Sequence, residues 1–339
     1  YNSLKWDKRI EPVRYQEAKK NYVETLELVS ANAINKFFAL ATAQSNYDIA
    51  SFNYANADTL YRYAQGRYNI GTITENEMLQ LELNRLTEET NRMNARIEMD
   101  NCMQELRSYL GIQEEREIRV RVSSRIPNFS INLNEALALA YENSPDIQTM
   151  KRRKLESESA VARARANAGL KADIYLRFGL TQTADKLPEA YRNLLDQQYV
   201  SLSISLPILD GGRGKGQVRV ARSNRDLVYT QVEQSRTDFE LNVRKLVKQF
   251  NLQTQRVRIA ARTDETAQRR NEVARKLYIL GKSTILDLNA SISEKDSARR
   301  NYVSALYNYW SLYYTLRSMT LYDFESNKLL TEDYNLLIE

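Results

Sequence analysis

The run Asp210-Gly211-Gly212-Arg213-Gly214-Lys215-Gly216 is where residue type and spacing first suggest chemistry, because closely spaced glycines beside a lysine can cradle phosphate. A phosphate loop needs G-x-x-x-x-G-K-[ST], and here the span Gly211 to Gly216 continues with Gln217 and Val218. The glycines therefore read as a joint that re-aims the chain. Histidine is absent, which removes Ser–His–Asp catalysis, imidazole acid–base work and most zinc sites. Cys102 is the single cysteine, so no intrachain disulfide can form, and within a helical pattern it reads as a packing residue. No constellation of nucleophile, base and metal ligand remains, and the residues point away from an enzyme and from any cofactor or metal. A formal charge of +6 on 339 residues is modest and gives no reason to expect nucleic acid.

The informative spacing is a repeat. Tyr68-Asn69-Ile70-Gly71-Thr72-Ile73-Thr74 and Tyr278-Ile279-Leu280-Gly281-Lys282-Ser283-Thr284 both read Y-x-x-G-x-x-T, and the second lies 210 positions after the first. The same displacement carries Leu106-Arg107-Ser108 onto Leu316-Arg317-Ser318, Glu77 onto Asp287 and Asn32 onto Asn242. A single displacement without gaps indicates duplication, since chance matches would scatter. Gly71 and Gly281 suit a left-handed position closing a helix, and Thr74 and Thr284 suit the N-cap of the returning one. Glu77 and Asp287 then fall in the first turn of that helix, where the macrodipole favours a carboxylate.

Long helices must flank these turns. Between Pro12 and Pro127 there is no proline, and the glycines there are Gly66, Gly71 and Gly111. Helices of roughly 45–60 residues, at about 1.5 Å per residue, reach roughly 70–90 Å, wider than a globular core, and must lie side by side as a coiled coil or hollow bundle. The first is expected to start near Val13, after a strand end at Tyr1–Trp6. In the last, Leu288, Ile292, Val303, Leu306, Trp310, Tyr313 and Leu316 mark an apolar stripe. Two organisational segments follow: 1–125, a first repeat whose N-terminal strand pair is largely missing, and 126–339, a second repeat with a β-hairpin at about 172–208.

In that hairpin Ile174, Leu176, Phe178 and Leu180 alternate with Tyr175, Arg177, Gly179 and Thr181, and Val200, Leu202, Ile204 and Leu206 alternate with Tyr199, Ser201, Ser203 and Ser205. Period-two segments of about ten residues, apolar on one face, fit barrel strands in lipid and also a half-buried soluble hairpin. Ala184–Gln197, with Pro188, reads as the loop between them; Pro207 ends the ladder, and a long helix is expected from near Gln217. Glu117–Val122 reads as a linker with one short strand. Asn134-Glu135-Ala136-Leu137 opens a short helix stopping near Asn143-Ser144, and Pro145 starts the next, whose run Lys151-Arg152-Arg153-Lys154 reads as a solvated face. No apolar run is long enough for a membrane helix. A start at Tyr1 without Met or a signal-like stretch suggests a mature or trimmed form.

The two Y-x-x-G-x-x-T turns, Asn134-Glu135-Ala136-Leu137 with Asn143-Ser144-Pro145-Asp146, and Ser205-Leu206-Pro207-Ile208-Leu209-Asp210-Gly211-Gly212 together resemble the TolC-like outer-membrane efflux proteins. The resemblance spans nearly the whole chain. It implies a mainly α fold with a small β part, in which long helical hairpins form a hollow α-barrel in a homotrimer. It also implies that the strands join a shared twelve-stranded outer-membrane β-barrel, four from each protomer. It implies a channel in the outer membrane of a Gram-negative bacterium, extending into the periplasm, that serves efflux or type I secretion passively. Its partners would be a periplasmic adaptor protein, through it an inner-membrane pump, and outer-membrane lipid. Carried over residue by residue, the adaptor-facing positions are Tyr68, Gly71, Thr74, Tyr278, Gly281 and Thr284. Asp287 takes the place of an acidic residue lining the periplasmic aperture, with Glu77 as its repeat mate; the family's further Asp falls on Ala290. The alternatives are a periplasmic adaptor, which usually adds glycine-rich β-domains, and a coiled-coil scaffold without a pore, which leaves the amphipathic strands unexplained.

Overall fold

The computed structural model describes residues 1–114, 117–181, 195–205 and 210–330. In chain order the elements are α1 Ser3–Asn69, α2 Glu75–Tyr109, α3 Leu133–Asn143, α4 Pro145–Asn167, β1 Lys171–Thr181, β2 Leu195–Ser205, α5 Arg213–Ile279, α6 Ile285–Thr320, and the short strands β3 Tyr322–Asp323 and β4 Lys328–Leu329. The mainly α expectation holds. The duplication extends to the element boundaries: α1 and α5 are 67 residues each and both begin and end 210 positions apart. α2 and α6 start with the same offset.

One compact unit comprises Tyr1–Lys19 and Pro145–Phe239, a second Lys20–Ser144 and Glu240–Glu339. In the second, buried residues at seven-residue spacing set the packing, small ones on α1. Ala43, Ala50, Ala57 and Ala64 of α1 are all buried, and on α5 so are Val243, Phe250, Val257, Asp264 and Asn271. A seven-residue repeat of buried positions is the coiled-coil seam, and alanine lets the facing helix approach closely. Leu40, Ala43, Met99 and Leu106 form the core between α1 and α2. Beside it the guanidinium groups of Arg96, Arg92 and Arg85 sit over the rings of Tyr47, Tyr54 and Tyr61, at 5.6, 4.1 and 5.5 Å. Between α5 and α6, Phe250, Tyr309 and Tyr313 pack with Phe129, ring centroids 5.2 to 5.9 Å apart. Burial pushes the Tyr309 hydroxyl well above its ordinary range, and it donates to the Pro127 carbonyl at 3.0 Å.

The segment preceding α3 corrects one expectation: Glu117–Val122 forms no strand. Its backbone amides are taken by side chains, Ile118 N–H by Met103 Sδ at 3.3 Å and Val120 N–H by Gln44 Oε1 at 3.2 Å. Farther on, Asn251 pairs with both backbone groups of Ile131, at 2.8 and 2.9 Å. An extended segment whose polar groups are met by side chains needs no ladder. The Asn132 side chain caps α3, accepting from Asn134 and Glu135 N–H, and Pro145 opens α4 as expected.

In the first unit the N-terminal expectation fails. No strand precedes α1, which starts at Ser3 with Asn2 accepting from Lys5 N–H at 3.1 Å, and Pro12 lies inside the helix. Pro12 is exposed and removes one internal hydrogen bond, a loss offset by contacts on either side of it. Tyr1 Oη bonds Ser159 Oγ at 2.7 Å, and Glu17 accepts from Arg152 Nε at 2.6 Å, Arg152 Nη2 at 3.0 Å and Thr149 Oγ1 at 2.8 Å. Arg152 also pairs with Glu156, and Lys154 with Glu233 at 2.9 Å, so the basic run on α4 is an ion-pair network and not simply a solvated face.

β1 and β2 pair antiparallel from Lys171↔Ser205 to Thr181↔Leu195. β2 takes in Leu195, Asp196 and Gln197, which the sequence pattern places in the loop; Pro188 with the rest of that loop, and Leu206–Leu209, lie outside the described residues. α5 begins at Arg213 instead of near Gln217 because Asp210 accepts from Gly212 and Gly214 N–H, both at 2.9 Å, and so nucleates the first turn. A Cβ on Gly214 would lie 3.0 Å from that of Ala168, so α4 and α5 meet there without room for a side chain.

The hydrogen bonds from Arg152 hold the Glu17 carboxyl below its ordinary range. A depressed value means that the stabilisation is present above the unfolded-state pKa of about 4.3 and is lost as pH falls through the folded-state one. Glu17→Gln is expected to cost about 1–3 kcal/mol at neutral pH. In denaturant unfolding followed against pH, the gap to the parent should close as the solution becomes acid.

Candidate functional site

Both Y-x-x-G-x-x-T segments fold into the same turn. At the first, Gly71 has φ +73°, its N–H bonds the Tyr68 carbonyl at 2.8 Å and Thr72 N–H bonds the Arg67 carbonyl at 2.9 Å. At the second, Gly281 has φ +69°, its N–H bonds the Tyr278 carbonyl at 3.0 Å and Lys282 N–H bonds the Leu277 carbonyl at 2.9 Å. These paired bonds are the Schellman closure, which satisfies carbonyls otherwise orphaned at a helix end and needs the left-handed glycine.

The returning helices start on matching capping boxes. Thr74 Oγ1 accepts from Glu77 N–H at 3.3 Å while a Glu77 carboxylate oxygen accepts from Thr74 N–H at 2.9 Å. Thr284 Oγ1 accepts from Asp287 N–H at 3.2 Å, and Asp287 accepts from Thr284 Oγ1 at 2.7 Å, Ser283 Oγ at 3.2 Å and Thr284 N–H at 3.3 Å. The Thr284 hydroxyl first, then its amide and Ser283, hold the Asp287 carboxyl below its ordinary range. The carboxylates at 77 and 287 are both exposed at the first turns of α2 and α6, held by their own caps.

The two turns lie together. Tyr278 is half-buried; burial raises its hydroxyl pKa, and Arg67, Tyr63 and Glu77 are the charged and titrating neighbours that act on it. Close to the second turn, a cavity of ~220 Å³ is lined by Leu60 and Tyr63 of α1, Tyr278 and Ile279 of α5, and Leu288 and Ile292 of α6, among others. Tyr68, Ile70, Leu280 and Leu286 stand exposed at the turns and the first residues after them. The expected positions at 68, 71, 74 and 77 and at 278, 281, 284 and 287 are thus collected at one end of the helical hairpins.

One further surface, on α2, escaped the sequence reading. On α2, Leu79, Leu83, Leu86, Met93 and Ile97 are exposed, spaced as a coiled-coil seam with no partner helix among the described residues. That spacing was available as a signal. On β1 and β2, whose alternation the sequence already shows, the register aligns Ile174 with Leu202, Leu176 with Val200 and Ala172 with Ile204, an apolar patch on one face, while toward the loop Phe178 meets Gln198 and Leu180 meets Asp196. Among the described residues no third strand pairs with either.

Duplicated coiled-coil hairpins joined to a bare-edged amphipathic β-hairpin define the outer-membrane channel class of fold. The chain belongs to the outer membrane efflux protein family, whose model matches residues 136–320. It is 21% identical to the outer membrane protein TolC of Escherichia coli (strain K12) over 311 residues, covering 88% of this chain and 61% of TolC. The chain thus spans less than two thirds of that relative. The fold is also that of the Campylobacter jejuni CmeC outer membrane channel, with TM-score 0.76, 16% identity, and 98% of this chain matched to 70% of that one. The outer membrane protein VceC of Vibrio cholerae superposes with TM-score 0.69 at 17% identity, 93% of this chain on 76% of VceC.

Two substitutions test the turn. Thr284→Ala removes a cap and is expected to cost ~1 kcal/mol. Gly281→Ala places a side chain in the left-handed region, at a further ~1 kcal/mol. Both should raise amide hydrogen exchange in the first turn of α6 while leaving the α1–α2 turn unchanged; exchange spread evenly over both turns would contradict the local account.

Proposed function

We propose that this chain is a protomer of a passive exit duct in the bacterial outer membrane, assembled as a homotrimer. The observation that carries the reading is the apolar face of the β-hairpin. Ile174, Leu176, Phe178, Leu180, Val200, Leu202 and Ile204 share it, and each is between 55% and 71% exposed. Such a face is unfavourable in water and favourable in lipid, but lipid also demands that both bare edges be paired. Copies of the same hairpin, with strands beyond those of this chain, close the cylinder. The α2 stripe supports the assembly, since residues 44% to 66% exposed at coiled-coil spacing suit a helix of a second copy.

The turns that close α1 and α5, carrying Tyr68, Gly71, Thr74, Tyr278, Gly281 and Thr284, form the face that a periplasmic adaptor engages. Through it the duct couples to an inner-membrane pump, the source of energy. Gating is a shift between two packings of the tip helices, with adaptor docking favouring the splayed one. Glu77 and Asp287, repeated in three protomers, place six carboxylates around the aperture, where they attract cations and repel anions. At Asp287 the cap's hydrogen bonds favour the ionised form.

Replacing both residues together, Glu77→Gln with Asp287→Asn, is expected to lower cation preference in single-channel recordings, seen as a reversal potential moved toward zero in a salt gradient. An unmoved reversal potential removes both residues from the constriction. A polypeptide that stays in the soluble fraction without detergent, its hairpin protected by its own helices, removes the channel itself.

A further inference from the structure

The segments joining the β-hairpin to its helices are both basic. Residues 161–171, which close α4 and open β1, contain Arg163, Arg165 and Lys171; residues 213–222, the first turns of α5, contain Arg213, Lys215, Arg219 and Arg222. Neither stretch contains an Asp or Glu, although the whole chain holds 43 of them against 49 Lys and Arg. All these cations belong to the compact unit that includes the hairpin. The close approach at Gly214 and Ala168 brings the end of α4 and the start of α5 together, so the cations gather just beyond the strand ends.

Arg165, Arg213, Arg219 and Arg222 are exposed, and none has an acidic partner among the described residues. Aromatic side chains accompany them. The Arg163 guanidinium lies 5.0 Å from the ring centroid of Tyr1, and on the first turns of α1 Arg9 lies 4.7 Å from that of Trp6. Tyrosine, tryptophan and arginine in one band are the side chains that suit a lipid–water boundary, with apolar bodies and polar tips. A free anion is poorly served here, because the amides opening α5 at Gly212 and Gly214 are already taken by Asp210.

We propose that this band is a collar for the headgroups of anionic phospholipids in the leaflet nearer the helices. Arginine forks hold the phosphate oxygens, and the negative lipid charge relieves the mutual repulsion of the cations. The inference rests on the reading of β1 and β2 as membrane strands, which sets the collar at the bilayer boundary.

The test reconstitutes the full chain into vesicles of phosphatidylcholine, with and without phosphatidylglycerol. Lipid retained after mild detergent extraction is then counted by native mass spectrometry. The parent should retain phosphatidylglycerol over phosphatidylcholine by roughly tenfold or more, and ~1 M salt should abolish the preference. The quadruple variant R165Q/R213Q/R219Q/R222Q should enter both vesicles and retain the two lipids alike. If parent and variant retain them equally, the collar is overturned and the membrane strands stand; a parent that enters neither vesicle overturns both. Should the variant not fold, the parent alone decides, because a preference indifferent to salt rules out headgroup charge.

Discussion

Two helices of 67 residues cannot be stabilised by a globular core, and everything else in this chain depends on how they find partners along their length. On α1 the seam is built on small side chains at every seventh position. Ala43, Ala50, Ala57 and Ala64 contribute little apolar area individually, yet they let backbones approach so that the flanking larger residues interlock. The Arg–Tyr stacks between α1 and α2 ride on this spacing, because rings at 47, 54 and 61 meet guanidinium groups at 96, 92 and 85 only if the register is kept. Spreading the core along the length exposes other helix faces to solvent or to a neighbour, and the bare stripe on α2 is the result.

The reversals are the second necessity. A long helix ends with carbonyls unmet, and the returning one begins with amides unmet. Schellman bonds meet the first set and the capping box meets the second, both within the same short turn, and the solution is used twice. That economy explains why the turn motif is so legible: glycine, threonine and carboxylate are each required by a specific orphaned group. The assignment of Gly71, Gly281, Thr74 and Thr284 could be made from residue types alone for this reason.

Other parts were less legible, and the reasons are physical. The start of α1 is hidden by Pro12, whose local preference is overridden by Tyr1–Ser159 and Glu17–Arg152 contacts with residues more than a hundred positions away. Glu117–Val122 shows strand periodicity, but its amides meet a thioether and a carboxamide from distant helices, partners that no periodicity reveals. The start of α5 is displaced because glycines read as breakers, whereas Asp210 turns them into the opening of a helix. The solvent-facing reading of Lys151–Lys154 fails similarly: charge runs look alike in sequence whether or not Glu17 and Glu233 are waiting opposite.

The repeats also diverge in one telling place. α2 closes on Gly111 with φ +67°, and the position 210 residues later, closing α6, is Leu321 with φ +47°. Leucine in that conformation is disfavoured by roughly 1–2 kcal/mol. It is buried there, its carbonyl accepting from Leu330 N–H at 2.8 Å, beside Asp323, which Tyr313 and Arg317 hold. What the two halves inherited in common is therefore a path through space, and the amino acid best suited to follow it was the part that descent could give up.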